Sequence, residues 1–286
     1  MRPDLVRVAD GPLEVELLPA IGGRLHRLRA FGRDLLRTPD DPVEHARDPF
    51  YWGGFVMAPF CNRIAAVPTA VAGRVIRMAS NFRDGSAIHG QVYARPWAVG
   101  ADATMTARGG ADGWPWRYAT SLRATVEDAT LTIEQALTNL DDGPMPAGLG
   151  IHPWLRRPLE VRVDAATVVR SNTDPAAAIE PVGDELDLRS RRGLADDVDA
   201  TWPDPGDPAV ELRWPELGIE ATLTVASSAG AAIVVASPAG LGAAAIEPQT
   251  HLPQGIARLL RGEPGAVELL APGAVLRLTT TWRFRR

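Results

Sequence analysis

Polar and apolar positions alternate with a period of two over long stretches of this chain. "LEVELL" sets Leu13, Val15 and Leu17 against Glu14 and Glu16. "LTIEQAL" does the same with Leu131, Ile133 and Leu137, and "VLRLTTTWRF" puts Leu276, Leu278, Trp282 and Phe284 on one face. Such alternation predicts half-buried antiparallel strands. "RYATSLRATVEDATLTIEQALTNL" predicts two long strands in a hairpin turning around Glu127 and Asp128. "IEATLTVASSAGAAIVVASP" predicts a second hairpin turning at Ser228 to Gly230. Helical periodicity is sparse. "GIARLLRG", Gly255 to Gly262, predicts one short helix bracketed by glycines. "TWPDPGDPAVE", Thr201 to Glu211, reads as a loop. No repeat, low-complexity tract or composition shift divides the chain. The expectation is one all-β domain over residues 1–286, a large antiparallel sandwich with few short helices.

Composition narrows the classes. The 286 residues, 45% hydrophobic, suffice for a sizeable core. A formal net charge of −5 leaves no electrostatic footprint for nucleic acid. The single cysteine, Cys61, excludes an intrachain disulfide framework. The opening "MRPDLVRVADGPLEVELL" has no apolar leader region, and no run of about 18 apolar residues predicts a membrane-spanning helix. The expectation is a soluble, cytoplasmic protein with no membrane or nucleic-acid partner, a monomer or homodimer. All 30 basic residues are arginine. That removes a Schiff-base lysine, a pyridoxal-phosphate anchor and a P-loop lysine. There is no G-x-S-x-G elbow, kinase signature or dinucleotide fingerprint. The five histidines have no H-x-x-x-H or H-x-H spacing, so a metal site would need distant histidines to converge. No metal or cofactor is expected.

Four stretches combine polar side chains with prolines, glycines or aromatics: "APFCNRIA" (58–65), "AIHGQVY" (87–93), "GIHPWL" (150–155) and "IEPQTHLPQG" (246–255). His152 and Glu247 each precede a proline, which pushes them toward extended backbone and stiffens what carries them. His-Pro and Glu-Pro are also ordinary strand-end dipeptides in a proline-rich chain. A histidine and a carboxylate are the minimum kit for acid–base chemistry. At reference values of about 4.3 and 6.5, the glutamate would be ionised at pH 7 and the histidine able to donate. His89 sits beside Gly90, where backbone can approach closely; a histidine bonded to backbone has the same local look. Asn62 and Arg63 supply an amide and a fork of donors suited to hydroxyl-rich ligands. Asp196 and Asp197 stand before Trp202, an acid pair that suits sugar hydroxyls and equally a solvated turn. Trp154 suits a sugar-facing wall, and Trp282 the core.

Taken in order, these segments resemble the aldose 1-epimerase (galactose mutarotase-like) family. "PFCNRIA" is similar to its Asn-Arg-Ile segment, "IHG" to its Leu-His-Gly, and "GIHPWL" to its Gly-x-His-Pro-Tyr-Phe. "LADDVDATW" resembles its Asp-containing segment, "IEPQTHLPQGI" its Glu-Pro-x-Thr, and "LAPGAVLRLTTTWRF" its closing turn and strand. The resemblance implies a β-supersandwich and interconversion of the α and β anomers of a free aldose. It makes Glu247 the base at the C1 hydroxyl and His152 the acid at the ring oxygen, with Asn62, Arg63, His89 and Asp196 holding the sugar. This chain has Asp199 where the family usually has an aromatic. Alternative readings are an epimerase of a phosphorylated or sulfonated sugar, served by Arg63, Arg74 or Arg95, a non-catalytic sugar-binding module, and a glycoside hydrolase with two carboxylates.

Overall fold

The computed structural model describes residues 3–286. Two nine-stranded sheets carry most of the chain. The first runs Val6–Asp10, Leu13–Leu18, Arg24–Ala30, Gly54–Met57, Gly150–Arg156, Ala243–Gln249, Ala232–Ala236 and Asp199–Pro203 in spatial order, with Arg33–Asp34 beside the third strand. The second is centred on Tyr118–Glu127, Thr130–Asn139, Val275–Arg285 and Ile219–Ser227. All the pairings described are antiparallel apart from one isolated bridge, Ala58 to Gly90. Period-two alternation builds this arrangement, because each strand turns one set of side chains into the space between the sheets. Leu131, Ile133 and Leu137 meet Leu276, Leu278 and Trp282 in that core, as the pattern predicts.

The hairpin around Glu127 and Asp128 forms, with Tyr118 opposite Asn139 and Glu127 opposite Thr130. The second expected hairpin does not. Ile219–Ser227 pairs with Val210–Trp214 and Val275–Arg285, whereas Ala232–Ala236 pairs with strands of the other sheet. Ser228 to Gly230 therefore carries the chain from one sheet to the other. Local alternation cannot distinguish a turn that folds back from one that changes layer. The Thr201–Glu211 segment is also shorter as a loop than expected: Thr201 to Pro203 end one strand and Val210 begins the next. The predicted helix spans Gly255–Arg261 and ends at Gly262, whose positive φ suits a helix stop. No helix among the described residues is long and apolar enough to cross a membrane.

Strands at the centre of the first sheet are buried on both faces. Gly150–Arg156 is buried up to its last residue, and Ala243–Gln249 throughout. Ile151, Leu155, Ala244, Ile246, Ile233 and Val235 point into the inter-sheet core. The alternate positions, His152, Trp154, Ala245, Glu247, Val234 and Ala236, point the other way. Loops at residues 50–51, 62–63 and 82–89 close over that outer face, and a cavity forms beneath them.

Candidate active site

The cavity encloses about 220 Å³. His152, Glu247 and Val234 form its floor, within a row of side chains taken one from each neighbouring strand. Phe55 is opposite His152, and Val234 is opposite both Glu247 and, on its other side, Thr201. Between the His152 and Glu247 strands, paired residues run from Gly150–Gln249 directly to Trp154–Ala245. The skipped stretch contains Pro153 and Pro248, which have no N–H to give to a ladder. The same register sets His152 opposite Glu247. His152 Nε2 lies 3.1 Å from Glu247 Oε1, and both residues are buried.

Burial changes the protonation expected from reference values. Desolvation raises the Glu247 carboxyl well above its usual range, with Asp199 pushing the same way. Desolvation lowers His152 to about 3, with Arg24 and Arg63 adding to the effect. Burial thus biases the unliganded pair toward a neutral acid beside a neutral imidazole and away from a carboxylate beside an imidazolium. In that form the transferable proton sits on the carboxyl. Glu247 Oε2 and His152 Nδ1 are buried without a partner in the protein. The imidazole is held by packing: it stacks on Phe55 at 4.4 Å, meets His89 edge-on at 5.1 Å and lies 4.9 Å from Trp154.

His89 and Asn62 form a second unit over the floor. A backbone N–H can only donate, so the Asn62 amide, 3.2 Å from His89 Nδ1, makes that nitrogen an acceptor. The neutral ring then carries its proton on Nε2. Both residues have positive φ, 53° for Asn62 and 60° for His89. Asn and His tolerate that region better than most side chains. Gly90, at φ 72°, allows the turn to touch Ala58: a Cβ there would lie 2.0 Å from the Ala58 carbonyl oxygen. Gly90→Ala is expected to cost about 2–4 kcal/mol from strain and overpacking together. A urea titration showing an unchanged midpoint would refute this. His251 is a satisfied core histidine: Nε2 accepts from the Cys61 amide at 3.0 Å and Nδ1 donates to the Leu252 carbonyl at 2.7 Å.

His89, His152 and Glu247 do converge, with donor atoms within 4.8 Å of one another. Two histidines and a carboxylate are a familiar metal-ligand set. Here the hydrogen bonding fits poorly. A ligating histidine normally donates its other N–H to an acceptor, whereas His89 Nδ1 already accepts from Asn62. The set suits proton exchange better than metal binding.

The remaining candidates separate. Arg63 borders the cavity and is tied by Nε to Asp84 at 2.6 Å. Arg74 is paired with Asp141 and Asp142, and Arg95 with Asp112; neither lines the cavity. Asp196 does not line it either. Its carboxylate pairs with Arg157, and the cavity is lined instead by Asp197, Val198 and Asp199. Asp196 lies before the edge strand Asp199–Pro203 begins, whereas Asp199 opens that strand on the face it shares with Thr201. Asn172 donates to Asp199 Oδ1 at 2.5 Å, and Thr201 donates to Asn172 Oδ1 at 2.6 Å. That relay aims the Asp199 carboxylate. Asp197 Oδ1 is spent on the Ala239 amide. Phe50, Tyr51, Phe82 and Arg83 were not anticipated. The aromatic run "FYW" at 50–52 was the available signal. Tyr51 stacks on Trp154 at 5.7 Å, extending the wall that Trp154 begins.

The family model for aldose 1-epimerase matches residues 5–281. A search of curated protein sequences found no match. Among solved structures, the chain is similar to a putative aldose 1-epimerase from Escherichia coli K12, at 20% identity over 99% of both chains with a TM-score of 0.83. It is similar to a GalM/aldose epimerase homologue from Caenorhabditis elegans, at 22% identity over 99% of both chains and a TM-score of 0.83. A galactose mutarotase-like protein from Clostridium acetobutylicum shares 16% identity over 99% of this chain and 95% of its own, with a TM-score of 0.84. At these identities the structural likeness is one of fold.

Proposed function

The chain belongs to the aldose 1-epimerase family, and we propose that it interconverts the α and β anomers of a free aldose by acid–base ring opening between Glu247 and His152. The observation that carries the proposal is the 3.1 Å approach of His152 Nε2 to Glu247 Oε1 on the floor of a cavity walled by aromatics. The C1 hydroxyl and the ring oxygen are bonded to the same sugar carbon, so two adjacent proton-exchanging groups can serve both. Glu247 takes the proton from the C1 hydroxyl. The C1 oxygen forms the aldehyde, the C1–O5 bond breaks, and its electron pair on O5 takes the proton of His152. Rotation about C1–C2 and closure on the other face, with the proton transfers reversed, gives the other anomer. Sugar hydroxyls and the Nε2–H of His89 offer polar partners to the charged forms, offsetting the desolvation that keeps the empty pair neutral. Proton transfer of this kind contributes about 10²–10⁴-fold.

A free sugar is favoured over an anionic one by the acids around the cavity. Asp197 and Asp199 border it, and Arg63, one of the two arginines in the lining, is already paired. The other, Arg83, forms no ion pair among the described residues. The test is polarimetry of freshly dissolved α-D-glucose and α-D-galactose, then pentoses and hexose phosphates. Acceleration on a neutral sugar supports the proposal. Acceleration only on phosphorylated or sulfonated sugars moves the substrate class. Binding without acceleration across the panel overturns the reading in favour of a sugar-binding module. Asp199→Asn is expected to raise KM about tenfold, the scale of one charge-assisted hydrogen bond. Asp196→Asn is expected to leave KM unchanged. Equal effects in initial-rate measurements would reject Asp199 as the sugar contact.

A further inference from the structure

The row beneath the cavity extends past Phe55. Leu25 is opposite Gly54, and that register sets Arg24 opposite Phe55. Phe55 therefore lies between Arg24 and His152. The guanidinium carbon is 5.6 Å from the Phe55 centroid, and the His152 ring stacks on Phe55 at 4.4 Å. The Arg24 charge is thus within about 10 Å of the imidazole.

Arg24 is an expensive residue in this place. It is 0% exposed and forms no salt bridge among the described residues. Its donors go to the carbonyls of Ile21 at 3.1 Å and Tyr93 at 2.6 Å, and to His45 Nδ1 at 3.3 Å. A guanidinium cannot accept, so His45 Nδ1 must, and His45 Nε2–H then donates to His26 Nδ1 at 3.0 Å. Thr38 bonds the same His26 nitrogen. Every acceptor hydrogen-bonded to the guanidinium is a carbonyl or a neutral imidazole. Burial lowers Arg24 to about 10, so it stays charged at neutral pH. An unpaired buried charge costs stability, and an apolar side chain of similar length would avoid that cost.

We propose that Arg24 is a positioning residue that acts through the ring of Phe55: the Arg24–Phe55–His152 stack fixes the imidazole against Glu247 and makes its protonated form a stronger acid toward the sugar ring oxygen. The inference rests on the acid–base reading above. The stack orients the ring in place of a hydrogen bond at Nδ1, for His152 Nδ1 has no partner in the protein. The other charged and titratable groups near His152 are Glu247 from the adjacent strand, His89 and Arg63 from the covering loops, and Asp199 beyond Glu247. Around Arg24 they are His45, Asp48 and Tyr93, with His26 one step further.

The experiment compares Arg24→Met, Arg24→Lys and Phe55→Leu with wild type in the pH profile of kcat/KM and in the ¹⁵N-histidine NMR shifts of His152 at pH 7. Removing the charge is expected to move both limbs of the profile upward by about 0.5–1 pH unit and to shift the His152 ring nitrogens toward imidazolium positions at pH 7. Arg24→Lys restores the wild-type values. Phe55→Leu lowers kcat about tenfold and leaves KM within twofold. Profiles of Arg24→Met and wild type that superimpose would overturn the proposal. So would Phe55→Leu with an unchanged kcat, which decides the matter if Arg24→Met does not fold. Should wild type accelerate no sugar, unchanged His152 ¹⁵N shifts in Arg24→Met overturn this inference, whereas shifted ones leave only the reaction assignment at fault.

Discussion

Glu247→Gln is expected to lower the anomerisation rate by about 10²–10⁴-fold and at the same time to raise stability at neutral pH. The amide keeps the shape of the carboxyl and can still bond to His152, but it cannot take a proton from the C1 hydroxyl. The stability gain follows from the raised proton affinity of Glu247. Such a group contributes its full stability below the unfolded value near 4.5 and loses it as pH rises toward the folded value. Above pH 4.5 the buried carboxyl therefore costs about 1.4 kcal/mol per pH unit until it reaches its own folded value. Glutamine has no such cost. Thermal midpoints of the two proteins should diverge as pH is raised from 4.5 to 8. A variant that is both less active and less stable at pH 8 would mean that Glu247 serves the fold, not the reaction. Activity and stability pulling in opposite directions is what a proton-exchanging group buried for function produces.

The second large effect is acid instability. All five histidines are buried. Desolvation depresses each of them: His26 and His251 to about 4, His152 to about 3, His45 to about 2, and His89 well below the usual value. An unfolded histidine titrates near 6.5. Above that pH neither state holds the extra proton and the stability is whole. Between 6.5 and the folded values only the unfolded chain takes up protons, so stability is lost as pH falls. Glu247 has the opposite sign and returns roughly what one histidine removes. Near pH 5.5 the balance is an uptake of roughly four protons on unfolding, or about 5 kcal/mol per pH unit. Total stabilities are only about 5–15 kcal/mol. The urea midpoint should fall steeply between pH 7 and 5, with matching proton uptake in an unbuffered unfolding experiment. A midpoint that stays flat over that interval would contradict the burial of these side chains in neutral form.

Residues that face the core were legible in the sequence because one face of each outer strand meets water. Leu13, Val15 and Leu17 alternate with exposed or half-exposed acids, and so do Leu131 and Ile133 with their neighbours. The central strands of the first sheet gave a weaker signal. "GIHPWL" and "AAAIEPQ" are buried on both faces, so alternation disappears. What marked them was a titratable residue before a proline, His-Pro and Glu-Pro, within apolar runs. Asp196, matched through the family's Asp-containing segment, lies outside the cavity lining, because which acid borders the cavity depends on where the edge strand begins. The loop residues Phe50, Tyr51, Phe82 and Arg83 had no periodicity to announce them.

The sequence by itself determined the class of the fold, the family, and the two residue types able to exchange protons, since these depend on side-chain chemistry and on patterns within a few residues. Tertiary structure alone decided that His152 and Glu247 are opposite each other, that Ser228 to Gly230 changes sheet, and that Asp199 rather than Asp196 borders the cavity. It also decided where the protons sit. Register across strands is set by contacts between residues far apart in the chain, and proton affinity by how much water those contacts remove; neither quantity exists until the sheets have packed.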